Sequence, residues 1–503
     1  MARETMTTDG EGTARVAEAR RLETGDPGLD AVLGGGLLAG RTCLVAGLPG
    51  TGKTTLGNQL AFHHVATGGR AVVATLLTET HDLLLANLAG FAFFDPGLVG
   101  KRVTYFNLFD ALEEDGLEGV VAAMRGVTRE TGATLLVIDG ATVLQDAAAS
   151  PLALRRFALQ LQAQAAVLGA TTVLLTGQDR DELAVLGAHV DGVLLLANER
   201  SGSRHVRRLE VLKLRGGPHV GGAHAFAIGE DGLSVYPRLE SVAGWRRPPE
   251  HAPTDVALGT GILGLDAMLG GGVLPRSSTL VMGSPGAGKT LLGLSFLVEG
   301  AKHGERGLLA GFHESPPELV ATAAGIGLDL QGAIDAGLIT ILWDPPLELS
   351  VDAWAWRLLN AIDEHRPRRV FVDAITDVQR LIDAPQRMPT YAAALTNELR
   401  ARGATTLVAA ELDAYVDDQL AVPIPAASAT MDNGILLRQV ELSSVLNRFV
   451  SVLKARQMAT DPAIREFVVG NQGIAVGDPL AAAKGLLTGS AAPAPFAVRG
   501  GAS

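Results

Sequence analysis

Short apolar runs alternate with helical patterns along the chain. In its first half they predict strands at 71–77, 134–139 and 171–176, and a further apolar run covers 42–46. Strands that alternate with helices imply a mostly parallel sheet that is covered on both faces. The pattern therefore predicts an α/β fold in which each domain has a mostly parallel, twisted sheet flanked by helices.

One stretch, 157–178, carries no charged residue and has the length of a membrane span. Glutamines interrupt it, and Gly169 divides it into a helix followed by a strand. A related stretch at 391–408 is openly amphipathic. The N-terminus also lacks the apolar core of a signal peptide. We therefore expect two helix–turn–strand units, no membrane segment and a cytoplasmic protein.

The sequence is internally duplicated. The segment 28–36 recurs at 264–272, and the segment 169–172 recurs at 403–406 at nearly the same offset. A repeat of this length is a whole domain, since solenoid repeats are far shorter. We expect a flexible N-terminus at 1–20, a first domain at 21–240, a linker at 241–254, a second domain at 255–478, and a flexible tail rich in Ala, Gly and Pro at 479–503.

Composition supports two soluble cores and restricts the partners. The chain has 503 residues, of which 47% are hydrophobic and 19% charged, and its formal net charge is −12. Binding to nucleic acid requires clustered Lys and Arg, so this balance disfavours it. The single cysteine, Cys43, forms no internal disulfide, which suits a reducing compartment. It lies in an apolar run and is expected to be a small buried side chain.

Two glycine-rich segments, 47–54 and 283–290, match the Walker A pattern G-x-x-x-x-G-K-[ST]. In such a loop, called a P-loop, backbone N–H groups surround the β-phosphate, the lysine neutralises charge on the β- and γ-phosphates, and the hydroxyl binds Mg²⁺. The sequence thus predicts two sites for ATP and Mg²⁺. The P-loop residues assigned to them are Gly47, Gly50, Thr51, Gly52, Lys53, Thr54, Thr55, Gly283, Gly286, Ala287, Gly288, Lys289, Thr290 and Leu291.

Each P-loop needs a second metal ligand. Asp139 and Asp373 each end a buried apolar run, and ligands bind at the carboxyl ends of strands in open α/β sheets. We expect Thr54 with Asp139, and Thr290 with Asp373, to hold the metal. The alternative is that each aspartate only caps the following turn.

Hydrolysis also needs a base, or a group that orients water, near the γ-phosphate. Glu79 and Glu314 follow the next predicted strand of their domains and are the candidates. The alternative is that each is an acid placed at a helix start, where the helix dipole favours it.

A basic doublet ends each domain. Lys213 and Arg215 form the first and Lys454 and Arg456 the second. Arg207 and Arg448 precede them at equal spacing and are also assigned to nucleotide binding. In a strand, residues i and i+2 point to the same side, so each doublet presents two cations together. On an edge strand they would only prevent aggregation. We favour contact with the γ-phosphate of a neighbouring subunit, where a trans arginine contributes roughly 10³ to 10⁵ in rate.

Together these residues resemble the KaiC family of the RecA superfamily, over about 24–477. The family's G-x-D-x-x-x-x-G-G opening is similar to 28–35 and 264–271, its K-L-R-G segment to 213–216, and its I-R-E-F segment to 464–467. The resemblance implies two tandem RecA-like P-loop domains in a homo-hexameric double ring, with ATP at every subunit interface. It implies nucleotide contacts from Leu214 and His219, and that Lys213, Arg215, Lys454 and Arg456 reach the adjacent subunit's nucleotide.

The chain departs from the family pattern at three places. The family carries two adjacent catalytic glutamates, but the chain has Thr78-Glu79 and His313-Glu314, so the first glutamate is absent from both halves. Either Glu79 and Glu314 act alone, or turnover is slow. The family's adjacent Ser-Thr phosphoacceptors align with Ser428 and Ala429, which leaves one acceptor. The segment 454–457 reads K-A-R-Q where the family has K-M-R-G, and the tail lacks similarity to the family's regulatory tail. The resemblance therefore does not extend to binding of the partner proteins of the cyanobacterial clock.

The leading hypothesis is a KaiC-like ATPase that forms a hexameric double ring and acts as a nucleotide-driven switch, with regulatory protein partners of unknown identity. A second hypothesis is a Ser/Thr autokinase, which phosphate on Ser428 would reveal. A third is a DNA-dependent motor resembling recombinases or helicases, which single-stranded DNA would stimulate with strong salt dependence. A fourth is a scaffold that binds ATP and scarcely hydrolyses it.

Overall fold

The computed structural model describes residues 20–76, 81–178, 180, 183–201, 204–242, 256–345, 350–382, 384–412, 430–442, 445–456, 459–479, 483–484 and 492–493. The chain passes from one compact unit to a second between Pro237 and Arg238.

The first unit is built on one large sheet. The strands of this sheet are β3 (Thr42–Ala46), β4 (Ala71–Thr75), β5 (Val103–Asn107), β6 (Leu135–Asp139), β7 (Thr171–Thr176), β8 (Gly192–Ser201), β9 (Arg204–Leu214), β10 (Ala223–Gly229) and β11 (Gly232–Tyr236). Two short strands that precede them, β1 (Arg21–Leu22) and β2 (Leu37–Leu38), pair with each other in a separate antiparallel sheet. Its helices are α1 (Pro27–Val32), α2 (Lys53–Ala66), α3 (His81–Leu88), α4 (Phe109–Thr131), α5 (Ala141–Asp146), α6 (Pro151–Leu168) and α7 (Ala184–Ala188), with a 3-10 turn at Pro96–Leu98.

The second unit repeats this plan. Its helices are α8 (Leu239–Val242), α9 (Leu263–Met268), α10 (Lys289–Lys302), α11 (Pro316–Gly325), α12 (Leu330–Asp335), α13 (Val351–His365), α14 (Ile375–Arg380) and α15 (Met388–Ala401), with a 3-10 turn at Pro385–Arg387. Its strands are β12 (Ser278–Gly283), β13 (Gly307–Gly311), β14 (Ile339–Trp343), β15 (Arg369–Asp373), β16 (Thr405–Glu411), β17 (Asn433–Leu442), β18 (Val445–Ala455), β19 (Arg465–Gly470) and β20 (Gly473–Pro479). Two further short strands, β21 (Ala483–Lys484) and β22 (Ala492–Pro493), pair with each other.

Both large sheets have the same strand order within the described parts of the chain. The first runs β11-β10-β9-β8-β3-β7-β6-β4-β5, and the second, read from its other end, runs β20-β19-β18-β17-β12-β16-β15-β13-β14. The strands from β8 to β5 pair in parallel, as do those from β17 to β14. Pairing in the β9–β11 and β17–β20 segments is antiparallel. The predicted α/β fold with mostly parallel sheets is confirmed.

The apolar runs form these central strands because both faces of each sheet are covered. Every residue of β3, β4, β6 and β7 is buried. Successive strand residues point to opposite faces, so Val45 joins one apolar cluster while Leu44 joins the other. The second unit has two such clusters as well.

The uncharged stretch at 157–178 is the helix–turn–strand unit that the sequence predicts. Ser150 accepts a hydrogen bond from the Ala153 N–H at the start of α6, and Gly169 ends the helix with φ of 65°. The strand β7 then follows. Within the described residues, no helix has both the length and the apolar character needed to cross a membrane.

A short helix, α8, spans the residues where the sequence predicts the first domain to end, at 240, and a linker to begin, at 241. This helix packs within the second unit, where Leu239 is buried in the apolar cluster with Trp354. The Glu240 carboxylate accepts hydrogen bonds from Arg387 at 2.8 and 3.0 Å. A terminal helix this short has no periodicity that could reveal it in the sequence.

Candidate active sites

Each P-loop joins a central strand to a helix at the carboxyl edge of its sheet. The first lies between β3 and α2, and the second between β12 and α10. Gly50 and Gly52 adopt φ of 79° and 99°, and Gly286 and Gly288 adopt 75° and 106°. These left-handed conformations favour glycine, and they let the backbone turn tightly around a bound group.

The P-loop lysines fold back over their own loops. The Lys53 Nζ donates to the carbonyls of Gly47 and Leu48 at 2.7 and 2.9 Å. The Lys289 Nζ donates to those of Gly283 and Ser284 at 2.9 and 3.0 Å. Burial lowers the pKa of both lysines, although nearby carboxylates oppose that shift. Each ammonium group therefore lies at the mouth of its loop, where a phosphate would neutralise it.

The predicted metal ligands meet in both units. The Thr54 hydroxyl donates to Asp139 Oδ2 at 2.7 Å, and the Thr290 hydroxyl donates to Asp373 Oδ2 at 2.6 Å. Burial raises the pKa of the Asp373 carboxyl, although the Thr290 hydrogen bond and Lys289 oppose it. A hydroxyl and a carboxylate are hard oxygen ligands, which fit Mg²⁺ with its remaining positions held by water and phosphate.

The capping alternative for these aspartates finds no support in the helices that follow. The helix α5 has Gly140 as its N-cap and α14 has Ala374, and neither has a side-chain capping hydrogen bond. The aspartates are instead hydrogen-bonded to the P-loop threonines.

A cavity of about 230 Å³ opens beside the second P-loop. Lys289, Thr290, Asp373 and Glu314 all line it. Desolvation in the cavity wall raises the pKa of Glu314, and the charges of Asp373 and Glu318 add to the shift. The structure thus brings the predicted base candidate to the predicted metal ligands in the second unit. Its counterpart Glu79 lies outside the described residues, as does Ser428.

Three ionisable residues that line this cavity were not predicted as site residues. The His313 Nε2 lies 2.9 Å from Asp377 Oδ1, and Glu411 at the end of β16 also lines the cavity. Only indirect signals in the sequence point to them: His313 occupies the position of the family's first catalytic glutamate, and Asp377 lies four residues beyond Asp373.

The basic doublets lie at the opposite edge of their sheets from their own P-loops. The Arg215 N–H donates to the Asp191 carbonyl, and the Asp191 N–H donates to the carbonyl of Thr42, the first residue of β3. The P-loop begins only after the last residue of β3. Five residues of strand span roughly 16 Å at about 3.3 Å each, so Lys213 and Arg215 cannot contact phosphate at their own loop.

The second doublet has the same placement. The Arg456 N–H donates to the Asp432 carbonyl at 3.1 Å, and the Asp432 N–H donates to the carbonyl of Ser278, where β12 begins. The Lys454 Nζ donates to the Met431 carbonyl at 2.9 Å, just as the Lys213 Nζ donates to Gly187 and Ala188.

Within each doublet the two cations are close together. Partial desolvation lowers the pKa of Lys213 and of Lys454, and the positive charge of Arg215 or Arg456 adds to the shift. Arg215 is exposed and lines a cavity of about 780 Å³ with Arg20, Arg41 and Asp191.

The remaining candidates for nucleotide contact do not all lie at the P-loop edge of their sheets. His219 is exposed in the loop that follows Arg215, whereas the half-buried Leu214 packs against the first unit's core. The Arg448 Nε donates to the carbonyl of Gly286 at 3.0 Å, in its own P-loop. Arg207, the corresponding residue of the first unit, is half-buried.

Comparison with known proteins agrees with this architecture. The family model "ATPase: KaiC" matches residues 22–240 and 258–481. A circadian clock oscillator protein KaiC of Picosynechococcus sp. is 27% identical over 485 residues, which cover 94% of this chain and 92% of that protein. The circadian clock protein KaiC3 of Synechocystis sp. is 26% identical over 486 residues, which cover 93% of this chain and 94% of that protein. With the family model matched once in each unit, the chain belongs to the KaiC family of ATPases.

Proposed function

We propose that this chain binds and hydrolyses Mg·ATP at both P-loops, and that a second copy of the chain completes each site. The placement of the doublets carries the proposal, because Lys213, Arg215 and their counterparts lie across the sheet from their own P-loops. A cation stabilises phosphate charge at contact distance, so these four residues would act on the nucleotide of a neighbouring copy. A closed ring of six copies, as the family resemblance implies, would repeat that contact at every interface.

The residues of one site then have separate roles. The P-loop N–H groups hold the phosphates. Lys53 or Lys289 exchanges its hydrogen bonds to the loop carbonyls for contacts with the phosphates and neutralises their charge. Thr54 with Asp139, and Thr290 with Asp373, would hold Mg²⁺, which supplies charge neutralisation and aligns the phosphates. Glu79 and Glu314 are the carboxylates proposed to lie near the γ-phosphate.

Such an interface couples assembly to the nucleotide. Since ATP would contact two copies, its binding favours the assembled state, and hydrolysis removes the γ-phosphate that the doublet contacts. The relatives are named as circadian clock proteins. We propose a nucleotide-driven switch in regulation as the output for this chain. The autokinase alternative has its acceptor, Ser428, outside the described residues, so hydrolysis is the reaction to test first.

A mixing experiment tests the shared site. One variant carries Lys53→Ala and Lys289→Ala, and the other carries Arg215→Ala and Arg456→Ala. Each alone should lose ATP turnover by about 10³-fold, because each interface lacks one half of the site. When the two are mixed without nucleotide and then given Mg·ATP, turnover should recover at interfaces that combine an intact P-loop with intact arginines.

The control is Arg125→Ala, which removes an exposed arginine of α4 and should behave as wild type. Light scattering of the wild type should show an increase in mass when Mg·ATP is added. A mixture no faster than its two components, with a mass that Mg·ATP leaves unchanged, would contradict the shared site.

A further inference from the structure

We propose that His313, oriented by Asp377, is the proton acceptor for hydrolysis in the second unit, which makes this unit chemically different from the first. The inference rests on the proposed ATP hydrolysis at the second P-loop. It reassigns the role of base from Glu314 to the residue immediately before it.

The position of His313 follows from the fold. The strand β13 ends at Gly311, and the buried Phe312 fixes the chain there with its ring against Trp354. His313 then lines the same cavity of about 230 Å³ as Lys289, Thr290 and Asp373. The helix α14, which starts just after Asp373, brings Asp377 to the same cavity.

The hydrogen bond to Asp377 determines which ring nitrogen is free. A carboxylate only accepts hydrogen bonds, so His313 Nε2 carries the hydrogen that it donates to Asp377 Oδ1 over 2.9 Å. In the neutral ring the lone pair then lies on Nδ1, which can accept a proton. The Arg380 Nη1 also donates to Asp377 Oδ1 at 2.9 Å and helps to fix that carboxylate.

A purely stabilising role explains the pair less well. The Asp377 side chain is 7% exposed, but that of His313 is 64% exposed. An ion pair with one partner so open to solvent contributes little to folding, typically about 0–1 kcal/mol. An exposed ring with a buried carboxylate behind it is the arrangement expected when the ring must meet a ligand.

The sequence of the first unit differs at the positions that correspond to this dyad. Asp139 corresponds to Asp373, and the residue one helical turn beyond it is Val143 where the second unit has Asp377. At the end of β7, Gly177 occupies the place of Glu411. An orienting carboxylate for a histidine base is therefore absent from the described residues at the corresponding position of the first site.

The reaction balances without any further reagent. Water attacks the γ-phosphorus and forms a new P–O bond, while His313 Nδ1 takes the proton that the water loses. The bond between the γ-phosphorus and the bridging oxygen breaks, and its electron pair leaves with ADP. The imidazolium, stabilised by Asp377, then returns its proton to solvent, so that ATP and water become ADP, phosphate and a proton.

The test uses full-length protein carrying Lys53→Ala, so that turnover reports the second site. His313→Gln should lower kcat by about 10²-fold or more while KM changes by less than about threefold, because the base acts in the transition state. His313→Glu replaces one base with another and should keep kcat within about tenfold of the parent. The matched control is His303→Gln, an exposed histidine at the end of α10.

The role of Asp377 is tested by asking whether its effect on kcat depends on the presence of His313. Asp377→Asn should lower kcat by about tenfold or more when His313 is present, since an amide favours the wrong tautomer. In the His313→Glu background the same change should not lower kcat, because a carboxylate base needs no tautomer fixed. If Asp377 were merely structural, Asp377→Asn would lower kcat by the same factor in both backgrounds.

The outcomes separate the two proposals. If the Lys53→Ala protein binds ATP and hydrolyses it, but His313→Gln leaves kcat unchanged, the assignment of His313 is overturned and ATP hydrolysis stands. If the Lys53→Ala protein fails to hydrolyse ATP, both are overturned for this site.

Discussion

At the residue scale, each site depends on one hydroxyl that touches one carboxylate. In the second unit, the Thr290 hydroxyl donates to Asp373, whose pKa is raised by burial. A buried carboxylate that loses its donor has either to take up a proton or to remain charged without a partner. The threonine therefore serves the apo site as well as the proposed metal.

Replacement of Thr290 tests that role. Thr290→Val keeps the shape but removes the hydroxyl that would bind Mg²⁺. Affinity for Mg·ATP should therefore fall by about 10- to 100-fold, comparable to the loss of one hydrogen bond to a charged group. Thr290→Ser should bind as the parent does. The measurement is titration with a fluorescent ATP analogue in the Lys53→Ala background, and chelation of Mg²⁺ should reduce the difference. Equal affinity of the valine variant and the parent would remove Thr290 from the site.

At the element scale, the P-loop helices start against a strand of the antiparallel segment. Gly288 precedes α10 with φ of 106°, and a Cβ added there would lie 2.9 Å from the Cε1 of Phe467 in β19. In the first unit, a Cβ on Gly52 would lie 2.5 Å from the Cδ1 of Ile228 in β10. Gly52 and Gly288, which directly precede the P-loop lysines, are therefore needed for packing between elements as well as for the proposed phosphate binding.

Gly288→Ala should lower the free energy of unfolding by about 2–4 kcal/mol, from left-handed strain plus overpacking. Gly304→Ala is the matched control, because its φ is 72° and nothing lies within 4 Å of an added Cβ; it should cost only the strain. All four tryptophans follow Pro237, so denaturant unfolding followed by tryptophan fluorescence reports the second unit. If both variants lose the same free energy of unfolding, the Phe467 ring moves aside at no measurable cost and the overpacking argument is wrong.

At the scale of the whole molecule, the end of the first unit is defined by what α8 contacts. Glu240 pairs with Arg387, and Arg387 also donates to Asp352 at 2.9 Å. Burial acts to raise the pKa of Glu240, but the hydrogen bonds and charge of Arg387 outweigh it and hold that pKa below its usual value. The folded state of the second unit thus favours the charged Glu240.

The sign of the pH dependence follows from that lowered pKa. The contribution of Glu240 to the free energy of unfolding is fully present above its unfolded pKa of about 4.5. It is lost as the pH falls through the lower pKa of the folded state. At neutral pH, Glu240→Gln should therefore cost about 2 kcal/mol of unfolding free energy, and the difference should vanish in acid. Tryptophan fluorescence during denaturant unfolding measures it. Glu364→Gln, at an exposed position, is the control and should change little; a constant difference at all pH values would exclude the charge as the cause.

Much of the fold and of each site could be read from local sequence. The runs 42–46 and 171–176 became the strands β3 and β7 with unchanged bounds, because a strand buried on both faces is mostly apolar and its few polar residues are threonines, which also favour strands. The P-loops, Asp139 and Asp373 were identified by spacing, and the structure joins them by hydrogen bonds. Each P-loop and each aspartate can be recognised in the sequence because it lies at the end of one apolar strand. Their meeting, across 85 and 83 residues of sequence, follows because parallel strands place their carboxyl ends at the same edge of a sheet.

The sequence by itself determined the duplicated α/β plan, the two P-loops and their partner aspartates, since each depends on local pattern. The tertiary structure alone decided that Lys213 and Arg215 lie at the edge away from their own P-loop, that α8 belongs to the second unit, and that His313 meets Asp377. These three depend on strand order, strand direction and helix packing between segments far apart in the chain. Such contacts are fixed only when the whole core assembles, so no short stretch of sequence contains them.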